Sequence, residues 1–310
     1  MSAELRASVK EYLELRHAMG YRLHAHDRLL PAFVDYLTAR HAEAITVEHA
    51  LAWACLPQGT HPRWHATRLA AVRGLAAHVH ARDPQRAELI PDRLLPVHVH
   101  RVVPHLYTGE QIAALLEAAH QLRPAVRAHT MGAVISLMTA VGLRVGEALG
   151  LDTTDLDLQA STITVTGKYA KKRRLPVHPG TISALTHYVG VSRHLVGAPV
   201  DDALFVTCNA TRPKANNVQS AFRSLTRTCG LLPAPGTRAP RLHDLRHTFA
   251  VNTLLDAHRD GIDVDTRIAA LATYLGHVNP MSTYWYLSAS PDLLNLVNDR
   301  VQAAGEGRFR

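Results

Sequence analysis

A proline-rich stretch at residues 82–104 constrains the fold of this chain more than any other feature. It holds four prolines and sustains no hydrophobic periodicity, which is typical of a linker because proline interrupts helices and strands alike. The 310 residues also exceed what one hydrophobic core usually serves. The sequence therefore predicts two domains, residues 1–101 and 102–310, with a linker at about residues 82–106.

The first domain has helical hydrophobic patterns. Apolar residues recur among charges at residues 5–19, as on one face of an amphipathic helix. Thr46 precedes an apolar run that stops before Pro57, as expected for an N-capped helix. Together with similar patterns at residues 29–37 and 65–80, these features predict a bundle of four short helices.

The second domain combines helices with one β-hairpin. Residues 161–166 alternate β-branched side chains, residues 167–170 form a turn, and residues 173–177 return, which is the pattern of two antiparallel strands. The other patterns predict helices at residues 108–122, 125–141, 181–194, 218–229, 243–258, 266–275 and 292–304. The predicted fold class is mainly α with a small β-sheet, a helical bundle followed by a mixed α/β domain.

Composition narrows the classes of protein to which the chain belongs. Hydrophobic residues at 47% and charged residues at 19% indicate a globular chain with a packed core. The three cysteines form no CxxC pair, so we expect no disulfide framework and favour a reducing cytoplasm. We find neither an export signal nor a membrane span. A net charge of +8 favours a phosphate-rich partner.

Arg144 follows an apolar helical run that Gly142 interrupts. Because hydrophobic residues flank this arginine, we expect its guanidinium to be partly buried and to need a compensating anion. Glu147 lies one helical turn further on and can hold it while leaving donors for a ligand phosphate. A purely structural Arg–Glu pair fits this window equally well.

Five cations follow the first strand of the hairpin. Lys168 comes directly after a glycine, and the others are Lys171, Lys172, Arg173 and Arg174. We predict that all five project from the turn, where a basic loop can enter a nucleic-acid groove. A basic turn that is merely solvated has the same pattern.

Two further windows carry groups suited to acid–base or nucleophilic chemistry. His243 and Arg246 are three residues apart and share a face if the segment is helical. His277 precedes a segment that contains Tyr284 and Tyr286. Two such tyrosines are about 200° apart around a helix, so at most one addresses a given site. Core packing of the aromatic residues is the alternative.

The sequence predicts no metal or nucleotide site. His61 and His65 have helical spacing but no third ligand nearby. Asp152, Asp155 and Asp157 are spaced irregularly in a connection, where turn and cap roles are expected. The phosphate-binding motif GxxxxGK[ST] is absent from the sequence. We therefore expect no cofactor.

In their order along the chain, these windows resemble the tyrosine recombinase (phage integrase) family. The motifs are Gly-Leu-Arg144-x-Gly-Glu147, Lys168 after a glycine on a hairpin, His243-x-x-Arg246, and Leu-Gly-His277 with Tyr286 nine residues later. The resemblance covers about residues 106–303. Residues 1–101 are similar to the core-binding domain of that family in helical character.

The resemblance implies a site-specific DNA recombinase that cuts and rejoins strands through a 3′-phosphotyrosyl intermediate. The catalytic residues that it implies are Arg144, Lys168, His243, Arg246, His277 and Tyr286. Tyr286 would be the nucleophile and Lys168 the acid for the leaving oxygen, while Glu147 would brace the arginines. The family often has glycine where Tyr169 stands, so Lys171 or Lys172 are alternatives to Lys168.

The implied partners are double-stranded DNA with a specific site and three further copies of the chain, in a tetramer on DNA. The basic residues Lys171, Lys172, Arg173 and Arg174 are candidate DNA contacts. A capped helix at residues 292–304 corresponds in position to a segment that docks on a neighbouring protomer, or it packs on its own domain. Two alternatives are a type IB topoisomerase-like enzyme and a noncatalytic DNA-binding accessory protein.

Overall fold

The computed structural model of the chain describes residues 2–21, 23–95, 103–167, 171–233, 237–262 and 264–277. The chain divides into two compact units, Met1–Arg101 and Val102–Arg310. The predicted turn residues 168–170 and the predicted helix at residues 292–304 lie outside the described part.

The first unit is a bundle of four helices. They are α1 (Ser2–Ala18), α2 (His26–Ala39), α3 (Val47–Cys55) and α4 (Pro62–His80). The side chain of Thr46 accepts a hydrogen bond from the backbone of His49, which caps α3 as the sequence predicts. Phe33 and Trp53 meet edge to face in a core that α2, α3 and α4 share.

The second unit is mainly helical, with one small sheet. The helices in its described part are α5 (Gly109–His120), α6 (Ala125–Val141), α7 (Val145–Leu149), α8 (Pro179–Val196), α9 (Ala215–Thr228), α10 (Asp244–Arg259) and α11 (Val264–Leu275). A short 3₁₀ helix, Thr153–Asp155, precedes the strands β1 (Leu156–Asp157), β2 (Thr162–Thr166) and β3 (Lys172–Pro176). The strands form an antiparallel sheet in the order β1-β2-β3. The predicted fold class is confirmed.

Helix α6 lies at the centre of the second unit. Val134, Ile135 and Met138 are fully buried, as expected for a helix that is apolar on all sides. The helix ends at Gly142, which has a φ of 65°. A Cβ atom at this position would lie 2.3 Å from Cδ1 of Phe249, so both the backbone conformation and the available space require glycine.

No helix in the described part of the chain is long and apolar enough to cross a membrane.

Candidate active site

Arg144 lies at the N-terminal end of α7, just after the turn that ends α6. Its backbone N–H donates to Glu147 Oε2 at 3.1 Å, and its Nη1 donates to Oε1 at 2.7 Å. Its guanidinium also donates to the carbonyl oxygens of Leu275 and Gly276, at 3.4 and 3.3 Å. The side chain is 37% exposed. The predicted contact with Glu147 is therefore present, and the guanidinium is held in place while it stays accessible to a ligand.

Arg246 lies in the first turn of α10, and its side chain is only 1% exposed. Nη1 donates to the carbonyl oxygen of Gly142 at 2.8 Å, and Nη2 donates to that of Leu275 at 2.8 Å. Nη2 also lies 3.0 Å from Nε2 of His277. Arg246 therefore joins the end of α6 to the end of α11.

The C-terminal end of α11 brings the two arginines together. The last carbonyl groups of a helix have no partner within that helix, and here the guanidinium groups satisfy those of Leu275 and Gly276. Gly276 has a φ of 66°, a conformation that favours glycine. We call Arg144, Arg246 and His277 the arginine pocket.

His277 is a neutral hydrogen-bond acceptor at Nε2. Arginine only donates, so Nε2 must accept from Arg246, and the ring proton of the neutral form is on Nδ1. Burial, together with the charges of Arg246 and Arg144, lowers the pKa of His277 to about 4. The neutral ring therefore keeps one N–H group, on Nδ1.

We predict that the His277 ring stays neutral in the folded protein down to about pH 5. The usual pKa of histidine is about 6.5, so between these values the unfolded chain binds more protons at this residue. The contribution of His277 to stability is therefore lost as the pH falls below about 6.5 towards 4. NMR of ¹⁵N-histidine protein, with His277→Gln to assign the signal, measures this directly. A ring that titrates near pH 6.5 would contradict the prediction.

Glu147 is the anion shared by the arginines. Its side chain is 7% exposed, and it accepts hydrogen bonds from Arg144 and from both terminal nitrogens of Arg173, the latter at 3.2 and 3.0 Å. Arg246 Nη1 lies 3.8 Å away. Burial alone raises the pKa of Glu147, but the hydrogen bonds from Arg173 and Arg144 outweigh it and hold the pKa below its usual value. The carboxylate is therefore charged and offsets part of the arginine charge.

Contrary to the prediction, Arg173 does not project from the turn. It lies on β3, and its side chain is 18% exposed. Successive residues of a strand face opposite sides, so Arg173 shares the inward face with the buried Leu175, while Lys172 and Arg174 are exposed. Its guanidinium binds Glu147 within the candidate site instead of facing solvent.

His243 immediately precedes α10. The centroids of the His243 and His247 rings lie 5.0 Å apart, and the two ring planes are nearly perpendicular. Burial lowers the pKa of His243, and the positive charges of Arg246 and Arg241 act in the same direction. Since a neutral imidazole has one nitrogen able to accept, His243 is suited to take a proton at neutral pH.

The remaining predicted residues are only partly described. Lys168 and Tyr286 lie outside the described residues. Lys171, Lys172 and Arg174 are exposed, and the carbonyl oxygen of Lys171 accepts from the backbone of Gly167 at 2.8 Å, which continues the β2–β3 pairing. Among the described residues, no group of three or more His, Cys, Asp or Glu side chains is placed to hold a metal ion.

The fold and the arrangement of the site define a class of protein, the tyrosine-type site-specific recombinases. Arg144, Glu147, Arg246 and His277 come together from α7, α10 and the end of α11. The model of the phage integrase family matches residues 106–292. The chain belongs to that family.

Relatives and solved structures agree with this assignment. A protein of Sinorhizobium fredii whose name describes it as an integrase/recombinase, y4rB, is 36% identical over 310 residues, which cover 98% of each chain. The structure of the XerH recombinase bound to palindromic difH substrate has a TM-score of 0.67 at 18% identity, covering 96% of this chain and 84% of that one. A lambda integrase tetramer bound to a Holliday junction has a TM-score of 0.55 at 14% identity, covering 89% and 78%. These two structures share the fold.

Proposed function

We propose that this protein cuts and rejoins DNA strands at specific sites through a 3′-phosphotyrosyl intermediate on Tyr286. The observation that carries the proposal is the arginine pocket. In it, the guanidinium groups of Arg144 and Arg246 and the neutral ring of His277 meet at the C-terminal end of α11. Fixed donors of this kind stabilise the charge that develops on the nonbridging oxygens of a reacting phosphodiester.

The proposed roles follow from accessibility and charge. Arg144 is the accessible arginine and donates to a phosphate oxygen, and His277 donates from Nδ1. Arg246 is almost completely buried, so it supplies a fixed positive charge and orients the His277 ring. Glu147 holds the arginine side chains in position.

In the cleavage step, the phenolic oxygen of Tyr286 bonds to phosphorus and the bond from phosphorus to the 5′ oxygen breaks. His243 takes the phenolic proton, and Lys168 gives a proton to the departing oxygen, which becomes a free 5′-hydroxyl. A phenol with a pKa near 10 is a weak nucleophile at neutral pH, so it needs this acceptor and the nearby cations. Attack by a 5′-hydroxyl on the phosphotyrosine reverses each transfer and rejoins a strand.

The proposed partner is double-stranded DNA, and the proposed assembly is a tetramer on DNA. Support comes from the DNA in the XerH and lambda integrase structures and from the tetrameric state of the latter. The exposed Lys171, Lys172 and Arg174 are proposed to contact the DNA backbone. The core-binding role of residues 1–101 and the catalytic role of residues 102–310 belong to the same proposal.

We predict that the wild-type protein forms a covalent adduct with DNA. Duplexes selected by binding from a random-sequence pool are nicked just downstream of the cleaved phosphate, so that the short fragment with the 5′-hydroxyl dissociates and the adduct accumulates. After nuclease and protease digestion, mass spectrometry should find a nucleotide on Tyr286.

Three other results would contradict the proposal. Tight binding with no adduct would favour the noncatalytic accessory protein. Relaxation of supercoiled DNA without any preferred site would favour the topoisomerase-like enzyme. An adduct on another residue would overturn the assignment of Tyr286.

A further inference from the structure

We infer that Arg173 is a positioning residue that fixes the two strands of the β2–β3 hairpin, which flank Lys168 in the sequence, against the arginine pocket. This inference rests on the proposed function. Arg173 is paired with Val165 across the hairpin, and Lys172 is paired with Thr166 at the last described pair before the turn. Its side chain leaves the hairpin on the inward face and is 18% exposed.

The guanidinium of Arg173 joins three elements that are far apart in sequence. Its two terminal nitrogens donate to the two oxygens of Glu147 on α7, at 3.2 and 3.0 Å. Its Nε donates to the carbonyl oxygen of Tyr274 near the end of α11, at 3.0 Å. A planar group with donors in fixed directions holds all of these partners at once, which a lysine ammonium does not.

Gly276 leaves room for this guanidinium. A Cβ atom at Gly276 would lie 2.9 Å from Arg173 Nη1 and 3.0 Å from its Cζ. Gly167, directly after β2, also lies beside the guanidinium, since a Cβ atom there would be in ordinary contact with the same Nη1 at 3.5 Å. The hairpin and the end of α11 therefore approach one another around Arg173, and Gly167 is the residue directly before Lys168.

Arg173 is therefore expected to affect one step of the proposed reaction, the transfer of a proton to the departing 5′ oxygen. Arg173 and Arg144 both donate to the carboxylate of Glu147. Arg173 therefore fixes the position of the hairpin relative to Arg144. Loss of this link shifts Lys168 relative to the phosphate, and a misplacement of about 1 Å costs about 10²-fold in rate. The phosphate contacts of Arg144 and His277 depend on it less, because the carbonyl groups at the end of α11 and Arg246 also hold them.

The test compares two versions of the nicked DNA selected with the wild-type protein. One has the ordinary 5′ oxygen at the cleaved phosphate, and the other has sulfur in that bridging position. The sulfur leaves as a thiolate. Because the corresponding thiol has a pKa near that of cysteine, about 8.5, this leaving group needs no proton from an acid. The readout is the rate of adduct formation in a single turnover at saturating protein.

We expect Arg173→Gln to slow cleavage of the ordinary DNA by about 10²-fold and to cleave the sulfur-containing DNA at close to the wild-type rate. Lys168→Ala should show the same pattern. Arg144→Ala, which removes a phosphate contact, should be slow on both substrates. Arg173→Lys should lie between wild type and Arg173→Gln on the ordinary DNA.

Equal slowing of both substrates by Arg173→Gln, or no slowing at all, would overturn the inference. Thermal unfolding and DNA affinity are measured for each variant, and if Arg173→Gln does not fold, the same comparison on Arg173→Lys decides. An adduct that fails to form with the wild-type protein would instead contradict the proposed function. The two failures are therefore distinguishable.

Discussion

Tyr286→Phe is expected to abolish the covalent adduct with nicked DNA, and Tyr284→Phe is expected to retain it. The substitution removes only the phenolic oxygen, which is the atom proposed to bond to phosphorus, and no other group can form the same ester. A denaturing gel of protein with labelled DNA detects the adduct as a band of reduced mobility. Loss of signal to the detection limit is the largest effect that we predict for any substitution.

Tyr284→Phe is the matched control for Tyr286→Phe, because both variants lose one phenolic oxygen. They lose the same atom from the same residue type and lie only two residues apart in the sequence. Both should bind the selected duplex with wild-type affinity. An adduct that persists in Tyr286→Phe, or that disappears in Tyr284→Phe, would overturn the assignment of the nucleophile.

Arg246→Ala is expected to reduce both cleavage and stability. Removing a fixed donor or charge from such a site typically slows the reaction by about 10²–10³-fold. The carbonyl group of Gly142 also loses its donor in the interior, at about 1–3 kcal/mol for an unpaired group, and that of Leu275 keeps only the longer contact from Arg144 at 3.4 Å. Single-turnover cleavage and the free energy of unfolding in urea measure the two effects separately.

Arg259→Ala is the matched control on the same helix. Arg259 ends α10, and its side chain is 72% exposed in a surface pair with Asp256. Exposed pairs contribute about 0–1 kcal/mol, so the variant should cleave and unfold like the wild type. If Arg246→Ala kept wild-type cleavage, the arginine pocket would not be the site of the reaction.

Local patterns predicted most of the fold. Thr108 and Gln111 form the reciprocal capping box that opens α5, and α6 spans residues 125–141 as its apolar run indicates. The hairpin also pairs as expected. Strand β1 was not predicted, because two residues are too few to display a hydrophobic period.

The site was less predictable than the fold. The contact between Arg144 and Glu147 follows from helical spacing. The inward direction of Arg173 was missed, although the alternation of Arg173 and Leu175 along one strand was a usable signal. The contacts of Arg144 and Arg246 with the end of α11 could not be predicted, because a main-chain carbonyl leaves no mark in the residue pattern.

The dependence of Arg144 on the end of α11 also bears on biosynthesis. Arg144 is translated 131 residues before Leu275, an interval of roughly 7–26 s at about 5–20 residues per second. A nascent polypeptide that has reached only about residue 230 has Arg144 and Glu147 but lacks the carbonyl groups of Leu275 and Gly276 that also hold the guanidinium. In such an unfinished chain the contacts between Arg144 and the end of α11 have not formed, so the arginine pocket is completed only after residue 277 has been made.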